Sequence, residues 1–136
     1  MDFQNPEIIE KIVKDFKTIA VVGLSDKPDR PSYGVAKYLQ DQGYRIIPVN
    51  PRVTEVLGEK SYPDLKSIPD TVEVVDIFRR SEDIPPIVDE AIEIGAKAVW
   101  LQEGIVNEEA GTKASENGLL VVMDRCMLKE HNLHGR

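Results

Sequence analysis

The stretch "VVGLSDKPDRPSYG", Val21 to Gly34, decides how the rest of the chain is read. It opens as the end of "TIAVVG" (Thr18 to Gly23), a short β-branched apolar run without alternation, which fits a strand buried on both faces. It closes on a helix entry: from Tyr33 to Gln42, Val35, Ala36, Tyr38 and Leu39 recur at helical spacing, and Gly43 is placed as the stop. Between strand and helix lie two prolines, two aspartates, a lysine and an arginine. A glycine at the end of a strand followed by a helix amino terminus offers free backbone amides and a positive helix end, which together suit a phosphate or pyrophosphate. The alternative is a plain turn at Gly23 with solvated polar residues.

The surrounding chain repeats the strand-then-helix alternation. Upstream, Asn5-Pro6 supplies an N-cap and a proline-tolerant first position for a helix whose Ile8, Ile9, Ile12, Val13 and Phe16 form a docking stripe. Downstream, "YRIIPVNP" (Tyr44 to Pro51) reads as a second strand, with Pro48 marking an irregular or edge-like end. Residues 52–70 are rich in proline, glycine and charge and read as a loop with a helical turn. "TVEVVDIF" (Thr71 to Phe78), "AKAVWLQ" (Ala96 to Gln102) and "LLVVM" (Leu119 to Met123) are three further strands. They are separated by the helices "PPIVDEAIEIG" and "VNEEAGTKASENG", the second with Asn107 as N-cap. Five apolar strands joined by helical crossovers predict a single α/β domain over residues 1–136: a Rossmann-like, open, mainly parallel five-stranded sheet with helices on both faces. The first strand is expected at its centre.

Composition narrows the partners. The chain has 136 residues, a net charge of −7 and a pI near 4.9; this argues against nucleic acid, whose binders present a strongly basic face. A small anion remains compatible, because a few local donors can bind phosphate inside a globally negative field. The single cysteine, Cys126, permits no internal disulfide and no Cys/His zinc cluster, and no apolar run reaches membrane-spanning length. The amino-terminal segment lacks the apolar core of a signal peptide. The expectation is a cytoplasmic protein with no metal and no membrane or nucleic-acid partner.

In an open sheet of this kind, ligands sit outside the carboxyl ends of the strands at the topological switch point. That rule selects Gly23 to Tyr33, Asn50 to Arg52, Phe78 to Arg80, Gln102 to Gly104 and Asp124 to Cys126. In the first segment Gly23 permits close backbone approach, Ser25 offers a hydroxyl, Lys27 and Arg30 are cations, and Ser32 to Gly34 lie at the helix entry. The dinucleotide fingerprint G-x-G-x-x-G is absent, since the next glycine after Gly23 is Gly34. The end of the second strand carries Asn50-Pro51-Arg52 where an NAD site has an acidic residue, and an arginine there suits a phosphorylated ribose. Phe78 could wall an adenine or apolar tether and Arg79 could meet a phosphate, whereas Arg80 reads as a surface residue.

Taken in order, "VVGLSDKPDRPSYGVAKYL", "YRIIPVNP", "SYPDLKSIP", "VDIFRR", "AVWLQEGI" and "MDRCMLKEH" resemble the small stand-alone CoA-binding proteins. These are similar to the N-terminal CoA-binding domain of the succinyl-CoA synthetase alpha subunit and of NDP-forming acyl-CoA synthetases. The resemblance implies coenzyme A as the cofactor, in the switch-point crevice with its phosphates on the first loop. The contacts it implies are Gly23, Ser25, Ser32 and Tyr33, then Asn50, Pro51 and Arg52, then Phe78 and Arg79; either Lys27 or Arg30 would meet a phosphate. The expected function is a non-catalytic module that binds CoA or an acyl-CoA, by itself or as the site supplied to a protein partner. The alternatives are an NAD(P)-dependent enzyme or redox sensor on the same fold, and a scaffold that binds no nucleotide. No catalytic residue is expected. His131 and His134 read as part of a mobile tail, Cys126 as semi-buried and inert, and Glu103 as a cap for the turn at Ile105 and Val106.

Overall fold

The computed structural model describes residues 2–134. The first helix, α1 (Pro6–Asp15), begins where the sequence places its cap: the Asn5 side chain accepts a hydrogen bond from the Glu7 amide, and Pro6 fills a position that needs no donor. Strand β1 (Thr18–Val22) follows, then α2 (Pro31–Asp41) and β2 (Arg45–Val49). After a small hairpin, β3 (Glu55–Val56) and β4 (Glu59–Lys60), come β5 (Val74–Ile77), α3 (Ile84–Glu93), β6 (Ala98–Leu101), α4 (Glu108–Glu116), β7 (Leu120–Val122) and α5 (Met127–His134).

The main sheet has five strands, all parallel, in the order β2-β1-β5-β6-β7. The expected Rossmann-like α/β architecture is therefore present. Because side chains alternate across a strand, Ile19 and Val21 face one side while Ala20 and Val22 face the other. The first side packs on Ile12 of α1, Leu39 of α2 and Met127 of α5; the second packs on Ile84, Val88 and Ala91 of α3 and on Ala114 of α4. Both sheet faces are dry, so the strands carry continuous apolar runs.

Three expectations need correction. The centre of the sheet is β5, with β1 one place towards the β2 edge. An uninterrupted apolar run shows burial on both faces, but four of the strands are wholly buried in at least four residues and burial alone cannot order them. Residues 52–70 hold a hairpin as well as the expected helical turn (Leu65–Ser67). The hairpin turns through Leu57 and Gly58, both at positive φ, where a type I′ turn ordinarily has Asn-Gly; Leu57 is tolerated because it packs on the core and its carbonyl accepts from Gln40 Nε2. Finally, His131 belongs to α5 and is buried, its ring edge-on to those of Tyr38 and Tyr44 and its Nδ1 2.7 Å from the Tyr38 hydroxyl. The half-buried His134 imidazole lies near Glu10 and Glu130. Polar residues and histidines disguised a docked helix as a tail; Gly135 and Arg136 lie outside the described residues.

The central strand contains a group absent from the sequence reading. Asp76 follows Val74 onto the same face, in register with Val21 and Trp100, and is fully buried. Its Oδ1 accepts a 2.6 Å hydrogen bond from Gln102 Nε2, while Oδ2 has no partner among the described residues. Burial pushes the carboxyl up to about 7, with the Gln102 hydrogen bond working in the opposite direction. The folded protein thus holds this proton more tightly than the unfolded chain, so Asp76 favours the fold at acid pH and loses that contribution as pH rises from about 4 through about 7. Urea denaturation of the wild type and Asp76→Asn across pH 4.5 to 8 should show the wild type losing stability relative to the variant as pH rises. The full difference is on the order of 4 kcal/mol. Parallel curves would show that the carboxyl is not desolvated in this way.

Candidate functional site

The chain leaves β1 for β2 on one side of the sheet and then crosses back to place β5 on the other side of β1. The loops after β1 and β5 therefore diverge, and a crevice opens between them at the carboxyl ends of the strands. A cleft of about 920 Å³ occupies this position.

Its floor is a backbone pinch. The Gly23 amide donates to the Val49 carbonyl at 2.8 Å and the Phe78 amide donates to the Val22 carbonyl at 2.9 Å, tying the ends of β1, β2 and β5 together. Gly23 has φ +87°, and a Cβ there would lie 2.5 Å from the Phe78 carbonyl oxygen and 3.0 Å from Arg79 Cδ. Only glycine satisfies both the left-handed backbone and the contact. The Arg79 stem consequently lies across Gly23, at the meeting of the two loops.

Nine of the eleven residues expected at the site line the cleft: Gly23, Ser25, Lys27, Arg30 and Ser32 from the first loop, Asn50 and Arg52 after β2, and Phe78 and Arg79 after β5. Tyr33 and Pro51 do not. Tyr33 is drawn inward against the core cluster on the α2 side, because it sits on the buried edge of the first helical turn; Pro51 is exposed outside the cleft. The cleft also takes in Arg80, Ser81 and Asp83 from the β5 loop and Gly104 and Ile105 from the β6 loop. The Gln102 to Gly104 segment was legible from strand-end position, whereas Asp83 had no sequence signal that distinguished it from a helix cap.

Several polar groups are occupied in bracing the loop. Ser32 is buried and its Oγ accepts from the Ser25 amide at 3.0 Å, while Ser25 Oγ accepts from the Lys27 amide. Asn50 donates through Nδ2 to the Leu24 carbonyl and accepts through Oδ1 from the Arg52 amide, linking the first and second loops. The amides of Tyr33 and Gly34 donate to the Arg30 carbonyl. On the far wall, the Ser81 carbonyl accepts from Asn107 Nδ2, which joins the β5 and β6 loops. The turn after β6 is held by Asp124, whose Oδ1 accepts from the Gly104 amide; Glu103 pairs instead with Lys129, so the cap expected of Glu103 belongs to Asp124.

The electrostatics are local and opposite to those of the whole chain. Lys27, Arg30, Arg52, Arg79 and Arg80 line the cleft against two carboxylates, Asp26 and Asp83. Among the described residues Lys27, Arg30 and Arg52 have no ion-pair partner, although the chain carries 24 acidic residues. The amino end of α2 opens on the same cleft through Arg30, Pro31 and Ser32, with no side-chain cap and no acidic residue in its first turn. Its positive end and the cations add in one direction. Cys126 is half-buried at the foot of α5 and outside this cleft. Among the described residues there is no cluster suited to a metal ion and no helix long and apolar enough to cross a membrane.

Comparison with known proteins gives the family of the chain. The chain is 48% identical over 130 residues to the uncharacterized protein YneT of Bacillus subtilis, covering 94% of this chain and 96% of that one. A hypothetical protein from Pyrococcus horikoshii has the same structure with a TM-score of 0.91 at 46% identity, over 95% of this chain and 91% of that one. An ADP-forming acetate–CoA ligase of Archaeoglobus fulgidus is 30% identical over 102 residues, which are 74% of this chain but 15% of the ligase. Residues 17–132 match the family described as CoA binding domain, and the chain belongs to that family.

Proposed function

We propose that the protein binds coenzyme A or an acyl-CoA in the crevice at the carboxyl ends of β1, β2 and β5, and that it acts as a binding module without catalytic chemistry of its own. The observation that carries this reading is the concentration of five cations and an uncapped helix amino end around one cleft of an acidic protein. CoA presents a pyrophosphate, a 3′-phosphate, an adenine and a thin pantetheine arm. Cations spread over three loops match charges distributed along such a ligand better than a compact glycine-rich turn would. Phe78, half-buried at the cleft wall, offers an apolar surface to the adenine or the arm. Arg52, exposed after β2 and without an ion-pair partner among the described residues, is suited to a phosphorylated ribose.

The absence of catalysis is inferred from the composition of the cleft, whose lining holds cations, serines and two carboxylates but no histidine or cysteine. A nicotinamide dinucleotide would find no acidic acceptor at 50–52 for its ribose hydroxyls.

Titration calorimetry of ligand-free protein with CoA, dephospho-CoA and NAD tests the reading. CoA should bind at least about tenfold more tightly than either competitor, equivalent to about 1.4 kcal/mol, and Arg52→Gln should bring CoA to within about twofold of dephospho-CoA. Equal binding of all three would contradict the assignment. In Gly23→Ala the methyl group meets the Phe78 carbonyl and the backbone is forced from its favoured region, so stability should fall by about 1–3 kcal/mol. CoA affinity should drop with it. A Gly23→Ala protein with wild-type melting and wild-type affinity would remove the pinch from the account.

A further inference from the structure

Asp83 stands at the N-cap position of α3, yet its side chain makes no cap hydrogen bond. The reason is in the sequence "DIPP": an N-cap carboxylate ordinarily accepts from the amides of the second and third helical residues, and here those residues are Pro85 and Pro86, which have no amide hydrogen. The carboxylate is left free to face elsewhere. Its Oδ2 lies 3.9 Å from Arg79 Nε and 3.6 Å from Arg80 Nε, too far for well-formed hydrogen bonds but within ion-pair range. Asp83 and Arg79 both border the main cleft and also a second cavity of about 300 Å³ on the α3 side. The pair thus forms a ridge over the pinch at Gly23.

Resting on the reading that the cleft takes a phosphorylated ligand, we propose that Asp83 is a positioning residue that acts through Arg79 and Arg80. Its carboxylate is an internal anion that holds the two guanidinium groups at the β5 wall until a ligand phosphate displaces it. The loose geometry fits exchange: a partly exposed ion pair at these distances holds its partners weakly, and the guanidinium has further N–H groups to offer a phosphate in bidentate fashion. A carboxylate beside those cations lowers the gain from any phosphate that approaches them, so anion binding at the β5 wall is weaker than the two arginines alone would give. Asp83 would therefore set the affinity of the β5 wall for phosphate, in place of helix capping.

The test measures binding of CoA, and separately of inorganic pyrophosphate, to the wild type, Asp83→Asn, Asp83→Glu and Arg79→Gln/Arg80→Gln with and without Asp83→Asn. Asp83→Asn should tighten pyrophosphate and CoA by about three- to tenfold at low salt, and the gain should shrink at high salt as screening removes the carboxylate's influence. Asp83→Glu, which keeps the charge, should return towards the wild type. The gain should vanish when both arginines are absent. A merely structural role would give loss of affinity in Asp83→Asn, no response to salt and no rescue by Asp83→Glu, and any of these would overturn the proposal. Pyrophosphate separates the two ideas: tightening of pyrophosphate with no CoA binding in any variant would reject the CoA reading and leave the role of Asp83 standing.

Discussion

Everything near the crevice depends on the backbone contact between Gly23 and Phe78. A parallel sheet can reverse its strand order only by sending the chain back across its own first strand, and at that crossing the loops after β1 and β5 part to opposite faces. Gly23 lets them part from the closest separation, with its α-carbon against the Phe78 carbonyl and its amide on Val49. A side chain here would push β1 and β5 apart at their ends. The same contact brings the Arg79 stem over the first loop, so a steric requirement of the fold becomes an electrostatic property of the cleft.

Charge is segregated accordingly. Exposed lysines on the helices are largely matched by carboxylates one turn away, as with Lys11 and Asp15 or Lys37 and Asp41, and such pairs contribute little beyond solubility. At the cleft the matching stops: among the described residues Lys27, Arg30 and Arg52 are left unpaired, and the carboxylate within ion-pair range of Arg79 and Arg80 is held by a helix start whose prolines cannot use it. The bracing hydrogen bonds of Ser25, Ser32 and Asn50 keep the loop in shape without neutralising any of these cations. A cleft built in this way presents positive charge with little reorganisation on binding.

Much of this was legible in the sequence because it follows from local rules. Asn5 and Asn107 both cap their helices as their positions suggest, and the apolar runs at 18–23, 71–78 and 96–102 mark strands that are covered on both faces. Strand-end position alone selects Ser25, Arg52 and Arg79, and all three line the cleft. What was not legible depends on tertiary context. Strand order is set by the crossovers, so equal apolar runs could not show that β5 lies at the centre. Leu57 in a left-handed turn and His131 in a helix interface are paid for by packing that composition does not display. Asp76 reads as one carboxylate among many until its strand is known to be enclosed, and the roles of Ser32 and Asn50 as braces appear only when the loops are side by side.

The central claim, that the crevice over Gly23 receives CoA, is tested most directly by a backbone-amide NMR titration of the ligand-free protein. The account predicts that CoA perturbs residues in four segments, Gly23 to Ser32, Asn50 to Val53, Phe78 to Asp83 and Gly104 to Ile105, with the largest shifts near Gly23 and Arg79. Perturbation centred elsewhere, such as the groove between α3 and α4, or no perturbation at saturating ligand, would contradict it.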